Sequence, residues 1–114
     1  MPNTNDHRLC RLDEVTDGGS NCFVRETVDG LRGYMVIRQG EAIFVYVNAC
    51  PHIGLPLDLK PGRFLNTRGD RILCSTHGAL FRIEDGVCLS GPCTGDALEA
   101  VPSKIRDGVI HISD

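Results

Sequence analysis

The sequence predicts an all-β fold, a β-sandwich or small barrel, and three observations carry that expectation. Short runs rich in Val, Ile, Leu and aromatic residues recur along the chain, most of them end at an X-Gly dipeptide, and no segment sustains a long 3.6-residue apolar period. Regularly spaced short strands with turn signals between them mark a sandwich or barrel rather than alternating strands and helices. The 114 residues suffice for one compact domain with a modest core and are too few for two, so residues 1–114 are read as a single domain.

The strand candidates, in order, are residues 22–28, 31–38, 41–48, 71–74, 79–83, 101–106 and 109–112. The turns between them fall at Asp29-Gly30, Gln39-Gly40, Arg68-Gly69, Asp85-Gly86 and Asp107-Gly108. Glycine reaches the positive φ of tight hairpins without steric cost, which is why such dipeptides read as hairpin signals. In 41–48 the period of two places Ile43, Val45 and Val47 on one face and Phe44 and Tyr46 on the other. Residues 94–100 are compatible with a helical turn. Trp is absent and aromatics are few, so the core is expected to rest on Val, Ile and Leu. Residues 51–70 break the pattern, with three prolines, three glycines and little periodicity. They read as a long excursion, and long loops in compact domains are usually functional or disordered.

Composition narrows the function. A hydrophobic fraction of 41% with 24% charged residues belongs to a folded globular chain. The net charge of −3, with scattered Lys and Arg, lacks the basic stripe of a nucleic-acid binder. The first residues are polar and do not form a secretory signal, and the longest apolar run, 42–47, is far too short to span a bilayer. The expectation is a cytoplasmic protein without a membrane or nucleic-acid partner. In that reducing setting six cysteines point to metal binding rather than disulfides.

The excursion is flanked by Cys50-Pro51-His52 on one side and Cys74-Ser75-Thr76-His77 on the other. Each half offers a thiolate and an imidazole at the end of a strand, and two such loops face to face make a four-ligand site. Thiolates suit zinc, copper(I) or iron–sulfur clusters, and imidazole suits zinc and iron. A structural zinc site accepts the same donors, but its usual spacing pairs Cys with Cys and His with His, whereas here they alternate. A catalytic Cys–His pair would leave two of each residue without purpose.

The pattern C-x-H … C-x-x-H resembles the ligand signature of Rieske proteins, in which His replaces Cys on one iron of a [2Fe–2S] cluster. The flanks agree: 48–52 resembles the first ligand loop of Rieske ferredoxins, and 74–81, Cys-Ser-Thr-His-Gly-Ala-Leu-Phe, the second. Residues 85–92 are similar to the segment that folds over the cluster, with Pro92 in its proline loop, and 100–112 to the closing hairpin. The resemblance implies a Rieske-type β-sandwich or small barrel with a cluster-binding subdomain of two ligand loops. It implies one [2Fe–2S] cluster, with Cys50 and Cys74 on the inner iron and His52 and His77 on the outer, surface-proximal iron. Imidazole ligands with a free ring N–H would make the potential pH-dependent at alkaline pH.

By the same resemblance, the potential should lie low within the family window of roughly −150 to +300 mV. High-potential members carry Ser and Tyr where this chain has Ala79 and Phe81, and those hydroxyls donate hydrogen bonds that favour the reduced state. Those members also staple their ligand loops with a disulfide at positions that here are Leu55 and Thr76. Residues 60–66 look like an insertion relative to oxygenase ferredoxins.

The implied function is that of a one-electron carrier, not an enzyme, passing electrons between a flavin reductase and a terminal oxygenase or similar redox enzyme. A Rieske oxygenase also needs a mononuclear iron held by two His and a carboxylate, and only His7 and His111 remain. Two alternatives stand beside this: the small Rieske-like subunit of a nitrite reductase, and a zinc-stabilised interaction module. Among the other side chains, Cys10 and Cys22 read as packing residues. Cys88 and Cys93 bracket the proline-loop segment, with burial preferred over a redox role. His7 reads as solvated in a polar tail. His111 should point away from the face of Ile110 and Ile112. Glu84, Asp85, Asp96 and Glu99 read as turn and surface carboxylates.

Overall fold

Gly30–Gln39 and Ala42–Val47 carry the longest apolar runs of the strands, and they form an antiparallel pair at the centre of the fold. The computed structural model describes residues 6–27, 30–49, 51, 56–58, 62–74 and 78–113. The elements run β1 (Asp6–Arg11), a short 3-10 helix (Leu12–Glu14), β2 (Ser20–Thr27), β3 (Gly30–Gln39), β4 (Ala42–Val47), β5 (Arg71–Leu73), β6 (Leu80–Arg82), β7 (Cys88–Ser90), β8 (Ser103–Arg106) and β9 (Val109–Ser113). They make three antiparallel sheets of order β1-β9-β8, β2-β3-β4 and β5-β6-β7.

The middle sheet separates two cores. In β3, Tyr34, Met35, Val36 and Ile37 are all buried, as expected for a strand covered on both faces. Tyr34 and Val36 join Leu9, Cys10, Val15, Val45, Val101, Ile110 and Ile112 in a base core against β1-β9-β8. Met35 and Ile37 point the other way, into a core with Tyr46, Leu57, Phe64, Ile72, Cys74 and Phe81 against β5-β6-β7. The period of two expected for β4 holds: Ile43, Val45 and Val47 belong to the base core, Phe44 and Tyr46 to the other.

The hairpin turns follow their dipeptides. Asp107 and Gly108 have φ of 54° and 74°, the two successive positive values of a type I′ turn, and they join β8 to β9. Gly40 (φ 65°) and Gly86 (φ 74°) occupy the turns after β3 and β6. Asp29, of the first dipeptide, lies outside the described residues.

Several expectations are corrected. β1 and β7 were not anticipated, and His7 sits exposed in β1 opposite Ile112 rather than in a tail. Residues 94–100 form no helix. Their backbone is committed elsewhere, with Leu98 N–H donating to Gly86 O (2.9 Å), Asp96 O accepting from Cys88 N–H (2.7 Å) and Glu99 O accepting from Val47 N–H (2.9 Å). Those pairings satisfy groups that a helix would otherwise have to satisfy internally. The excursion is not structureless at its end: Phe64 is fully buried, Leu65 bridges Ile72, and Leu73 N–H donates to Phe64 O (2.7 Å). The core leans on aromatics more than their number suggests, since Tyr34, Phe64 and Phe81 are among its largest fully buried side chains.

Candidate metal centre

Cys74 follows directly on β5, the short strand that pairs with β6 through Ile72↔Phe81 and Leu73↔Leu80. The chain must reverse between these strands, and it does so within a backbone bracket. Cys74 N–H donates to Ala79 O (2.8 Å), and Gly78 N–H donates to Cys74 O (2.9 Å). Gly78 has φ of 70°, which a residue with a Cβ adopts only at a cost, so the glycine after the second ligand pattern is a backbone requirement. The Cys74 side chain is fully buried, in the core that also holds Phe64, Ile72, Ala79 and Phe81.

The first loop is closed at its base by Asn48. Its Oδ1 accepts from Leu57 N–H (2.9 Å) and its Nδ2 donates to Asp58 Oδ1 (3.0 Å), while Asp58 Oδ2 accepts from Gly62 N–H (3.0 Å). One amide side chain thereby ties the end of β4 to the far side of the loop. Leu57, which the clasp positions, lies in the same apolar core as Cys74, so both loops are footed on one core. Ser20 extends the anchoring: its hydroxyl donates to Gly62 O (2.7 Å), and its Oγ accepts from Phe64 N–H (3.3 Å). Residue reading alone missed Asn48, Asp58 and Ser20 as organisers. The available signal was an Asn immediately before Ala-Cys, with an Asp ten residues on.

A third segment covers the bracket. Gly91 (φ 105°) lies so close to Ala79 that a Cβ on it would sit 2.8 Å from the Ala79 Cα and Cβ. Ala79 and Phe81 are themselves buried, so no side-chain hydroxyl is present at either position beside Cys74.

Of the four expected ligands, Cys74 lies among the described residues, and Cys50, His52 and His77 lie outside them, as do Leu55 and Thr76. Among the described residues no group of three or more His, Cys, Asp or Glu gathers as a metal site elsewhere. Pro51 and Gly78, the chain neighbours of His52 and His77, are exposed, in contrast to buried Cys74.

The remaining cysteines divide by environment. Burial pushes the Cys10 thiol up to about 12, with Glu14 adding to the effect. Burial, and then the Asp58 carboxylate, raise Cys22, against a lowering hydrogen bond from Asn48 Nδ2 at 3.7 Å. In both, burial favours the neutral thiol over the thiolate. Cys88 and Cys93 are buried, with their sulfurs 3.0 Å apart. Asp85 is held below the usual carboxylate range by Arg82, which it meets through two hydrogen bonds of 2.9 and 3.0 Å. Glu99 pairs with Arg32. These carboxylates are surface features, as read. His111 faces away from Ile110 and Ile112.

The described residues fit an iron–sulfur group in the chemistry they offer: a sulfur donor shielded in an apolar core beside a glycine-closed turn, and exposed residues, Pro51 and Gly78, adjacent in the chain to the two expected histidines. Among the described residues no helix is long and apolar enough to cross a membrane.

Comparison with known proteins agrees with this reading. A family model described as the Rieske [2Fe-2S] domain matches residues 5–103. A comparison with curated proteins found no match. Among solved structures, the Sphingomonas yanoikuyae B1 ferredoxin is 27% identical, with a TM-score of 0.76, over 96% of this chain and 99% of that one. The ferredoxin of carbazole 1,9a-dioxygenase from Nocardioides aromaticivorans IC177 is 24% identical, with a TM-score of 0.75, over 96% of this chain and 98% of that one. The terminal oxygenase of the same Nocardioides system shares the fold at 17% identity and a TM-score of 0.75, but only 30% of its length is covered. The donor chemistry, the three-sheet architecture and the family match converge: the chain belongs to the Rieske [2Fe–2S] domain family, whose domain binds one [2Fe–2S] cluster.

Proposed function

We propose that this protein is a cytoplasmic one-electron carrier, a Rieske-type ferredoxin, that passes electrons from a flavin reductase to a terminal oxygenase or similar redox enzyme. The observation that carries the reading is the end-to-end correspondence with ferredoxins, 96% of this chain on 99% of the Sphingomonas protein. A ferredoxin of similar fold, 22% identical to this chain, is known in complex with its oxygenase in carbazole 1,9a-dioxygenase. In this assignment Cys50 and Cys74 hold the inner iron, and His52 and His77 the outer one. The burial of Cys74 and the exposure of Pro51 and Gly78 support that order.

Bound through two thiolates and two neutral imidazoles, the cluster supplies a one-electron couple between net charges of zero and minus one, an easier step than in an all-Cys cluster. The protein's part is to hold and screen. The apolar core around Cys74 keeps water from the inner sulfur. The Asn48 clasp and the Gly78 turn fix the two loops. With their chain neighbours Pro51 and Gly78 exposed, His52 and His77 would serve as the exit for the electron, with no substrate pocket required. On this reading the chain is not itself an enzyme.

Ala79 and Phe81 donate nothing from their side chains, so the midpoint should lie below about +100 mV, in the lower part of the family window. The double substitution A79S/F81Y should raise it. An unchanged midpoint would sink the claim that these two positions set it.

The test of the function is an absorption spectrum with EPR after dithionite reduction, on anaerobically purified protein assayed for iron and zinc. A red-brown protein with two irons and a rhombic Rieske signal is expected. One zinc and no colour after reconstitution would favour the interaction module, and copurification with a large chain would favour the nitrite reductase subunit.

A further inference from the structure

Cys88 and Cys93 meet more closely than two unbonded sulfur atoms rest, at 3.0 Å, and both are 2% exposed. They are not thrown together by flexible chain. Cys88 N–H donates to Asp96 O (2.7 Å), and Asp96 N–H donates to Cys93 O (2.8 Å), so one residue pins both cysteines through the backbone. Thr94 holds the same turn from its N–H (3.2 Å) and its hydroxyl (2.7 Å), both donating to Gly91 O. The four residues between the cysteines, Leu89 to Pro92, are exposed, and Gly91 among them packs on Ala79. Ala79 O in turn accepts the Cys74 amide.

We propose that Cys88 and Cys93 form a reversible dithiol–disulfide couple that staples the 89–92 segment over the second ligand loop. The oxidant is a low-molecular-weight disulfide of the glutathione type. One cysteine thiolate attacks its S–S bond, which breaks to release one small thiol and leaves a mixed disulfide. The other cysteine then attacks the protein sulfur of that mixed disulfide, forming the Cys88–Cys93 bond and releasing the second small thiol. Two electrons and two protons pass from the protein to the oxidant. The burial of both sulfurs requires the exposed 89–92 segment to open transiently for the first attack, and the preset approach of the sulfurs favours closure in the second. The bond closes a short loop, which restricts the segment from lifting off Ala79. Its consequence for the cluster rests on the proposed function; its formation does not.

The experiment equilibrates the holoprotein anaerobically in glutathione buffers of increasing disulfide fraction, traps thiols by alkylation, and reads the tryptic peptide 83–104, which contains both cysteines. The expected result is conversion of the doubly alkylated peptide to one lacking both labels and two hydrogens. C88A and C93A, each conservative in a buried apolar site, should abolish that form. In parallel, release of iron to a chelator should be several-fold slower in the disulfide form, and insensitive to the buffer in C88A/C93A. A peptide that stays fully alkylated at the highest disulfide fraction overturns the couple. Equal release rates from the two forms overturn the staple. A protein without iron would fail the proposed function while leaving the peptide readout intact.

Discussion

Asn48 concentrates on one amide the closure of the first ligand loop. Replacing it by Ala removes the bonds to the Leu57 N–H and to Asp58, each worth about 0.5–1.5 kcal/mol, or more to the charged partner. N48A should therefore release iron faster than the parent, as followed by loss of visible absorbance. N48D should retain the acceptor for Leu57 but bring two carboxylates face to face, so its defect should ease as the pH falls into the carboxylate range. A second residue-scale effect is alkaline. Burial raises Cys10 to about 12 from 9.0 and Tyr46 to about 12 from 10.0, and the Tyr46 hydroxyl donates to Ile83 O at 2.5 Å. Below pH 9 neither group ionises in either state, and the stability is fully present. Between pH 9 and 12 the unfolded chain loses these protons first, and each pH unit crossed by one group removes about 1.4 kcal/mol. Urea unfolding from pH 8 upward should show this decline, with a shallower slope in C10A; an unchanged slope there would exclude Cys10. Neither effect was legible in the residue string. Cys10 and Tyr46 looked like ordinary apolar positions, and Asn48 looked like part of a motif flank, because partners at a distance in sequence define their roles.

Elements in this protein are short, and their turns are what the chain spells most clearly. The Asp107-Gly108 hairpin and the Gly40 and Gly86 turns could be placed from dipeptides alone, whereas β7, three residues long, is too short for a period to register. The 94–100 stretch, with Ala-Leu-Glu-Ala, favours a helix locally, yet its backbone is taken up by Cys88, Gly86 and Val47. Tertiary pairing overrides a weak propensity. The two glycine turns separate conformational strain from packing. Gly40 has open space where a Cβ would sit, so G40A should cost about 1 kcal/mol for its positive φ alone. Gly86 would put a Cβ 2.8 Å from Tyr46 Cε1 and 3.2 Å from Leu98 Cβ, adding about 1–3 kcal/mol of overpacking. Denaturant midpoints should fall clearly further for G86A, and equal midpoints would mean that the Tyr46 ring yields freely.

On the scale of the whole molecule, the middle sheet divides an apolar base from a core that contains the sulfur of Cys74, the proposed ligand. On the proposed assignment the base core is complete without the cluster, and the other loses the partner of Cys74 when iron leaves. Hydrogen exchange on protein stripped of iron should keep the amides of Val101 and Ile110 protected while Leu73 and Cys74 exchange early. Simultaneous loss would make the two cores one cooperative unit. The all-β class and the faces of β4 could be read from alternation, but the two-core division could not. It depends on β3 being buried on both sides, and a strand of that kind shows no alternation to read. The length of the excursion was visible in the sequence, but not the docking of Phe64, which needs Ser20 from another strand.

The pairing of β1 with β9 sets Asp6 opposite Ser113, so the first and last strands of the described chain lie side by side in one sheet. In topological terms the backbone is nearly a ring. A short linker joining those ends, with a new opening cut at the Gly40 turn where a side chain meets nothing, would preserve every sheet and leave both ligand loops uncut. A permuted carrier of that kind would present its termini from the middle sheet and free the β1-β9-β8 sheet for attachment to a surface or an electrode.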